Sequence, residues 1–375
     1  GQRHFAAFEC LGVPMSSRTV FLRRAQRCWR PRQRRKRVTW ALGEEERPRA
    51  DSLVERLLAR VRQMGLQSRQ GVNIVAYSGG VDSSVVAALC HRAFPGNSIA
   101  CLGVSNAVAQ RQLQRARQVA KHIGIRLEET RTEEGTDRKY IRNAGDACYF
   151  CKTHLYSALS AISKFSETMS DRQRVRLFNG TNGDDLQDPT RLGLVAAREW
   201  DVASPLDSLT KSEVRQAARE LGLLNSEDAA SPCLRSRLAI GVEATEHHLA
   251  RTEAAEQAVV RALQHFDAHR ESFAQRHDFQ ERFGSVGIPQ EIRYTPSTNM
   301  RVRTLPERHV MIEIDDELVD LCEFLLMCDA DKGGGLFWTI RRLGFLGCKV
   351  GVRQFKTGSV ARKQTVARKQ TVARK

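Results

Sequence analysis

Two short stretches of this chain hold residue types that could do chemistry. Ser78-Gly79-Gly80-Val81-Asp82-Ser83-Ser84 sets two glycines among three hydroxyls and one carboxylate. Glycines permit positive φ and let a phosphate approach the backbone, and a helix opening here would add unpaired N–H groups. A carboxylate in such a loop makes sense when Mg²⁺ sits between it and phosphate oxygens, so Asp82 is a candidate magnesium ligand. The order of residues excludes a Walker loop, which needs Gly-Lys-Ser/Thr, and the dinucleotide fingerprint with its three spaced glycines. The second stretch is Ser231-Pro232-Cys233-Leu234-Arg235-Ser236-Arg237. Nearby cations lower the pKa of a thiol, which makes Cys233 a candidate nucleophile; the plainer reading is a buried, inert cysteine.

Further candidates lie elsewhere. Cys148 and Cys151 place two soft ligands on one short turn. With a third thiolate they could hold a 4Fe-4S cluster; a zinc site, a redox dithiol and a pair of unreactive thiols are the alternatives. Arg301 and Arg303 alternate along an expected strand, so both point to one face and suit a phosphate or carboxylate. A solvated strand face is the competing reading. Glu256 and Glu313 are acidic positions in the same half of the chain, and surface carboxylates are their default.

The elements that must position these residues follow from periodicity. Asp51 to Met64 has Leu53, Val54, Leu57, Leu58 and Val61 at helical spacing, and Val72 to Tyr77 is a short apolar run, hence a buried strand. Helices are expected over 83–92, 110–123, 149–162 and 211–221, the last capped by Thr210, with strands over 99–104, 125–130 and 175–179. Strands alternating with helices give an α/β fold with a doubly wound parallel sheet, and a ligand site past the carboxyl ends of its strands. After about residue 240 a long helix, 245–264, precedes a polar stretch, Asp267 to Ser285, whose charged run Asp267 to Gln280 reads as a surface helix or an insertion. Short strands near 291–294, 300–304 and 310–314 complete a smaller α+β domain.

Charge is distributed unevenly. The chain's net charge is +17, yet residues 1–43 carry eleven Lys/Arg against Glu9 alone, and residues 352–375 carry eight Lys/Arg and no acid. The remaining body is near neutral, which argues against a broad nucleic-acid footprint. The arginine-rich start reads as a transit segment for a mitochondrion or plastid, or as a disordered basic extension. The end repeats Gln364 to Lys369 as Gln370 to Lys375, too little apolar material for a core, and reads as a disordered tail. No apolar run reaches membrane-spanning length. The ten cysteines are scattered, which suits a reducing compartment. The expected organisation is a basic extension to residue 44, the α/β domain over 45–240, the smaller domain over 241–350 and the tail over 351–375. The product is a soluble intracellular protein.

The loop at Ser78 to Ser84 resembles the pyrophosphatase loop of the adenine-nucleotide alpha hydrolase, or PP-loop, superfamily. Further stretches narrow the likeness: Asp146 to Lys152, Asn179 to Asp185, Ser204-Pro205-Leu206 with Thr210 to Arg215, and Ser231 to Arg237. Together they resemble the ATP-dependent sacrificial sulfur transferases, the LarE family, over roughly residues 50–320. The resemblance implies that ATP adenylates a carboxylate on a pyridinium mononucleotide and that Cys233 attacks the acyl-adenylate and leaves its sulfur behind. It implies ATP contacts from Ser78, Gly79, Gly80, Asp82, Ser83 and Gly180, and substrate contacts from Arg237, Arg301 and Arg303. It gives Glu256 and Glu313 as acidic positions for metal, and in some members Cys148, Cys151 and Cys233 as ligands of a 4Fe-4S cluster. The smaller domain is expected to serve assembly into a homo-oligomer. The chain departs from the family's pattern at Asp188 to Gly193 and at Leu238 to Gly241, which bears on substrate identity more than on the use of ATP.

An amide-forming ligase of the NAD- or GMP-synthetase type, a tRNA thiolase and a non-catalytic nucleotide-binding module are the competing readings.

Overall fold

The computed structural model describes residues 52–67, 71–162, 174–188, 190–284, 287–328, 333–346 and 350–354. The expected basic extension and the repeats of the tail lie outside the described residues. Helix α1 (Leu53–Met64) is started by Ser52, whose side chain accepts from the Glu55 N–H, and buries Leu53, Val54, Leu57, Leu58 and Val61. Strand β1 (Gly71–Tyr77) is buried along its whole length, as a strand covered by helices on both faces must be. It runs into α2 (Val81–Ala93), and then come β2 (Ser98–Val104), α3 (Gln110–Ile123) and β3 (Arg126–Arg131). Gly124, at φ 81°, ends α3 with its N–H on the Ala120 and Lys121 carbonyls. The short α4 (Arg138–Ile141) and the long α5 (Ala147–Ile162) lead to β4 (Arg174–Phe178), followed by α6 (Gly183–Leu186), α7 (Gly193–Glu199) and α8 (Lys211–Glu220). Thr210 and Glu213 close a reciprocal capping box on α8, a device worth about 1 kcal/mol.

The four strands are all parallel in the order β3-β2-β1-β4. The chain moves outward from β1 through β2 to β3 and then returns to place β4 on the other side. The switch point therefore lies between β1 and β4, where open parallel sheets bind ligands beyond the carboxyl ends of their strands. One face packs α1, α2, α3 and α8 through residues such as Leu57, Val85, Leu89, Leu113 and Val214. The other packs α5 and α7 through Ile74, Leu155, Tyr156, Leu159 and Ala196.

The second half is built on α9 (Glu246–Ala268), capped by Thr245, then α10 (Arg270–Ala274) and α11 (His277–Phe283). Strands β5 (Met300–Leu305) and β6 (His309–Ile314) pair antiparallel, α12 (Val319–Met327) and α13 (Gly335–Arg342) follow, and β7 (Val350–Gln354) joins β6 in parallel. Over Asp267 to Gln280 the surface-helix reading holds, in α10 and α11, while Phe273 and Phe279 are buried against Phe266 and Phe324, so aromatic rings anchor the charged run to the core. Two expectations are corrected. No strand forms over 291–294. The stretch expected to be tail from residue 351 begins as the last residues of β7. Among the described residues no helix is long and apolar enough to cross a membrane.

Candidate active site

The loop after β1 is held by contacts that leave its hydroxyls gathered. Ser83 Oγ accepts from the Ser78 N–H at 3.2 Å and donates to the Gly80 carbonyl at 3.0 Å, and Ser78 Oγ lies 3.2 Å from Ser83 Oγ. Gly79 has φ 75°, and a Cβ there would stand 2.6 Å from Ala116 Cα on α3, so shape and conformation both demand glycine. Asn225, fully buried, donates to the Gly79 carbonyl at 2.8 Å and to Ser84 Oγ at 3.0 Å and so fixes the loop from behind. Gly80 stands before the first turn of α2, placing that helix's free N–H groups at the loop.

Gly180 follows β4 across the switch point. A Cβ on it would fall 2.7 Å from the Ser83 N and the Asp82 carbonyl carbon, which is how closely the two loops approach. Asp82 lies between them, half-buried: its Oδ1 accepts from Asn182 Nδ2 at 3.0 Å and its Oδ2 pairs with Lys211 Nζ at 3.2 Å. Asp185 stands nearby, its carboxyl pushed up by burial against the pull of Arg191 and Lys211. Mg²⁺ bound chiefly through phosphates and water needs only one or two protein carboxylates, so Asp82 fits that part. Asn182, Lys211 and Asn225 went unassigned in the sequence. Asn182 and Lys211 lie in stretches the motifs already covered; nothing local marks Asn225.

The cysteine stretch bridges the two halves. Cys233 precedes a 3₁₀ turn over Leu234–Arg237, the Leu234 N–H donates to the Ala107 carbonyl beyond β2, and the Ala239 N–H donates to Thr304 on β5. Arg237 is buried and its Nε donates to Glu256 Oε1 at 2.9 Å, while its Nη1 reaches the Pro232 and Cys233 carbonyls. Glu256 Oε1 also accepts from the Val302 N–H at 3.1 Å, so this carboxylate is occupied in positioning Arg237. Arg303 donates to Glu313 Oε2 at 2.9 Å and to the Ser236 carbonyl at 2.5 Å. Arg301 stands opposite Glu313 in the β5–β6 register, and burial, with Arg237 and Arg303 close by, lowers its pKa to about 10. Three guanidiniums therefore gather beside two carboxylates, which leaves the group with an excess of positive charge.

Cys148, Cys151 and Cys233 approach a common cation. Arg235, buried at 5 % exposure, donates through Nη2 to Cys148 Sγ; burial works to lower its pKa, and the neighbouring Cys148, Cys233, Tyr140 and Cys151 more than offset it. Cys151 is half-buried, and burial pushes its thiol up to about 12. Among the described residues no group of three His, Cys, Asp or Glu side chains is arranged to hold a metal ion. With a guanidinium among the sulfurs, the donor set does not fit a cluster as it stands.

A family model described as NAD synthase matches residues 52–147, the stretch from α1 through the loop and the first three strands. The chain carries a PP-loop domain. Among curated proteins, it is 37% identical over 185 residues to an uncharacterized protein of Synechocystis, covering 49% of this chain and 66% of that one. It is 28% identical over 185 residues to pyridinium-3,5-bisthiocarboxylic acid mononucleotide synthase of Lactiplantibacillus plantarum, covering 48% of this chain and 64% of the relative. It is 28% identical over 165 residues to glutamine-hydrolyzing GMP synthase of Chlorobium limicola, covering 40% of this chain and 31% of that enzyme. The chain thus spans just under two thirds of the length of the first two relatives. The PP-loop domain accounts for the parallel sheet, the glycine-bearing loop after β1 and the helix behind it.

Proposed function

We propose that this protein is an ATP-dependent sulfur transferase that adenylates a carboxylate on a nucleotide-like substrate and then converts it to a thiocarboxylate with the sulfur of Cys233. The observation that carries the reading is the place of the cysteine. The residue after it is tied to the loop beyond β2, at the same end of the sheet as the PP-loop, and the residues that follow are tied to Arg303 and Thr304 of β5. A substrate reaching from the loop to Arg237, Arg301 and Arg303 would pass the thiol. The likeness to the bisthiocarboxylic acid mononucleotide synthase supports the same chemistry.

In this reading the loop N–H groups and the Ser78 and Ser83 hydroxyls grip the leaving pyrophosphate as a substrate carboxylate oxygen attacks the α-phosphorus. Asp82 would hold Mg²⁺, which would supply charge neutralisation to the phosphates when bound. Cys233 Sγ then attacks the acyl carbon and AMP departs, which is ordinary covalent catalysis. Loss of the Cα proton of residue 233 and cleavage of its Cβ–Sγ bond release the thiocarboxylate and leave dehydroalanine. Arg237, Arg301 and Arg303 orient the substrate's anionic group.

The test is intact mass before and after incubation with ATP, Mg²⁺ and a carboxylated pyridinium nucleotide. Sacrifice of the cysteine removes about 34 Da, the mass of H₂S. A second reading, an amide-forming ligase, is favoured by the NAD synthase model and the likeness to GMP synthase. Cys233→Ala separates the two: it ends thiocarboxylate formation in the first and leaves product formation intact in the second.

A further inference from the structure

Arg251 on α9 is a buried guanidinium at 8 % exposure, with its plane 4.5 Å from the centre of the Phe345 ring. Its Nε and Nη2 have no hydrogen-bond partner among the described residues. These two atoms form the parallel donor edge of a guanidinium, the one that grips a carboxylate or phosphate with two bonds. Elsewhere the same chain uses that edge fully: Arg115 holds Asp228 at 2.7 and 2.9 Å, and Arg117 holds Glu129 at 2.6 and 2.8 Å. Burying the same group with the edge empty leaves a desolvated cation uncompensated, a costly arrangement that an anion removes.

The surroundings supply a second cation. The Leu346 N–H donates to the Arg308 carbonyl at 3.0 Å, which brings the turn between β5 and β6 against the Gly344-Phe345 segment that covers Arg251. Glu307 and Arg308 on that turn have φ of 56° and 60°, a left-handed conformation that L residues adopt only at a cost. The positive charge of Arg308 is felt at Arg251 and lowers its pKa, an effect secondary to burial. Glu307 is turned outward at 76 % exposure, with its Oε2 4.0 Å from His309 Nε2. His309 Nε2 is likewise buried without a hydrogen bond. Gly344, at φ 89°, keeps the backbone clear: a Cβ there would stand 3.3 Å from Arg251 Nη1.

We propose that Arg251 and Arg308 form an oxyanion site, separate from the PP-loop, that takes a phosphate group between α9, the β5–β6 turn and the segment after α13. An empty two-donor edge with a second guanidinium nearby matches a doubly charged phosphate better than a singly charged carboxylate. The site does not depend on the sulfur-transfer reading.

The test titrates the full chain with inorganic phosphate by calorimetry, with a non-hydrolysable ATP analogue and Mg²⁺ present to fill the loop. Arg251→Met and Arg308→Ala are measured beside it. Phosphate affinity should fall about tenfold or more in Arg251→Met, the worth of a two-bond charged contact, and severalfold in Arg308→Ala. In phosphate-free buffer Arg251→Met should melt at or above the wild type, because it removes an unpaired buried charge. Phosphate affinity that is absent in the wild type, or unchanged in both variants, overturns the proposal. So does Arg251→Met melting well below wild type without phosphate, since the protein or a second copy would then supply the counter-charge. Should Arg251→Met fail to fold, the exposed Arg308→Ala decides: unchanged phosphate affinity overturns the site, and weakened affinity supports it.

Discussion

The PP-loop and the arginine junction both suit anions, but they are made differently. The loop consists of backbone N–H groups, two small hydroxyls and glycines consecutive in sequence, stiffened by one distant asparagine, Asn225. The junction consists of long side chains, Arg237 and Arg303, each held by a carboxylate from another element, Glu256 and Glu313. A backbone site owes its charge to geometry and fails when its shape fails. A side-chain site owes its charge to pairing and fails when a partner is lost.

The largest effect should come from shape. Gly79→Ala adds a methyl 2.6 Å from Ala116 Cα and forces an L residue to φ 75°, so ATP-dependent pyrophosphate release should fall by roughly a hundredfold or more. Gly96→Ala is the control, with φ 77° and nothing within 4 Å. It should cost about 1 kcal/mol in denaturant unfolding and leave pyrophosphate release unchanged. Equal losses of activity in the two variants would mean that the loop's contact with α3 is immaterial.

Next comes pairing. Arg303 and Glu313 are exposed by only 6 % and 1 % at their side chains, so Glu313→Ala leaves a buried cation and should destabilise the protein by about 3–5 kcal/mol. Adding Arg303→Met should restore much of that loss, measured by urea unfolding. A double variant no more stable than Glu313→Ala would show that the arginine finds another partner. Lys211→Met, which breaks an ion pair 41 % exposed on the lysine side, should cost under about 1 kcal/mol. Its effect should appear instead as a raised KM for ATP, since Asp82 loses its neighbour.

The same contrast explains what could be seen in the sequence. Alternating apolar runs and helices gave the parallel sheet and most of its boundaries, and Ser78 to Ser84 disclosed the loop, because those signals are local. Asn225 lies 146 positions from the carbonyl it holds and sits in no motif, so no local pattern could disclose it. Arg235 was legible as a charge near Cys233, but its contact with Cys148 depends on a fold that joins positions 87 apart. The burial of Phe273 and Phe279 was hidden because charged residues outnumber the phenylalanines in the run around them. Arg301 and Arg303 were legible as a pair on one strand face, while the carboxylate holding Arg303 comes from β6.

A separate set of effects should be alkaline and should distinguish the two cores. Burial raises Tyr77 and Cys101, beside the parallel sheet, and Cys322, in the second core, to about 12. In each case the folded state prefers the neutral group. The stability is therefore fully present below the unfolded pKa, near 9 for the thiols and 10 for the phenol, and is lost as pH rises towards the folded value. A tenfold change in proton affinity is worth about 1.4 kcal/mol, so each thiol should withdraw on the order of 2 kcal/mol by about pH 11. Melting curves from pH 8 to 11 should fall steadily, and Cys322→Ala should flatten the decline of the second core alone while costing packing at every pH. If Cys101→Ala and Cys322→Ala both left the slope unchanged, the two thiols would have to reach solvent in the folded protein, and neither core would be as closed as its packing indicates.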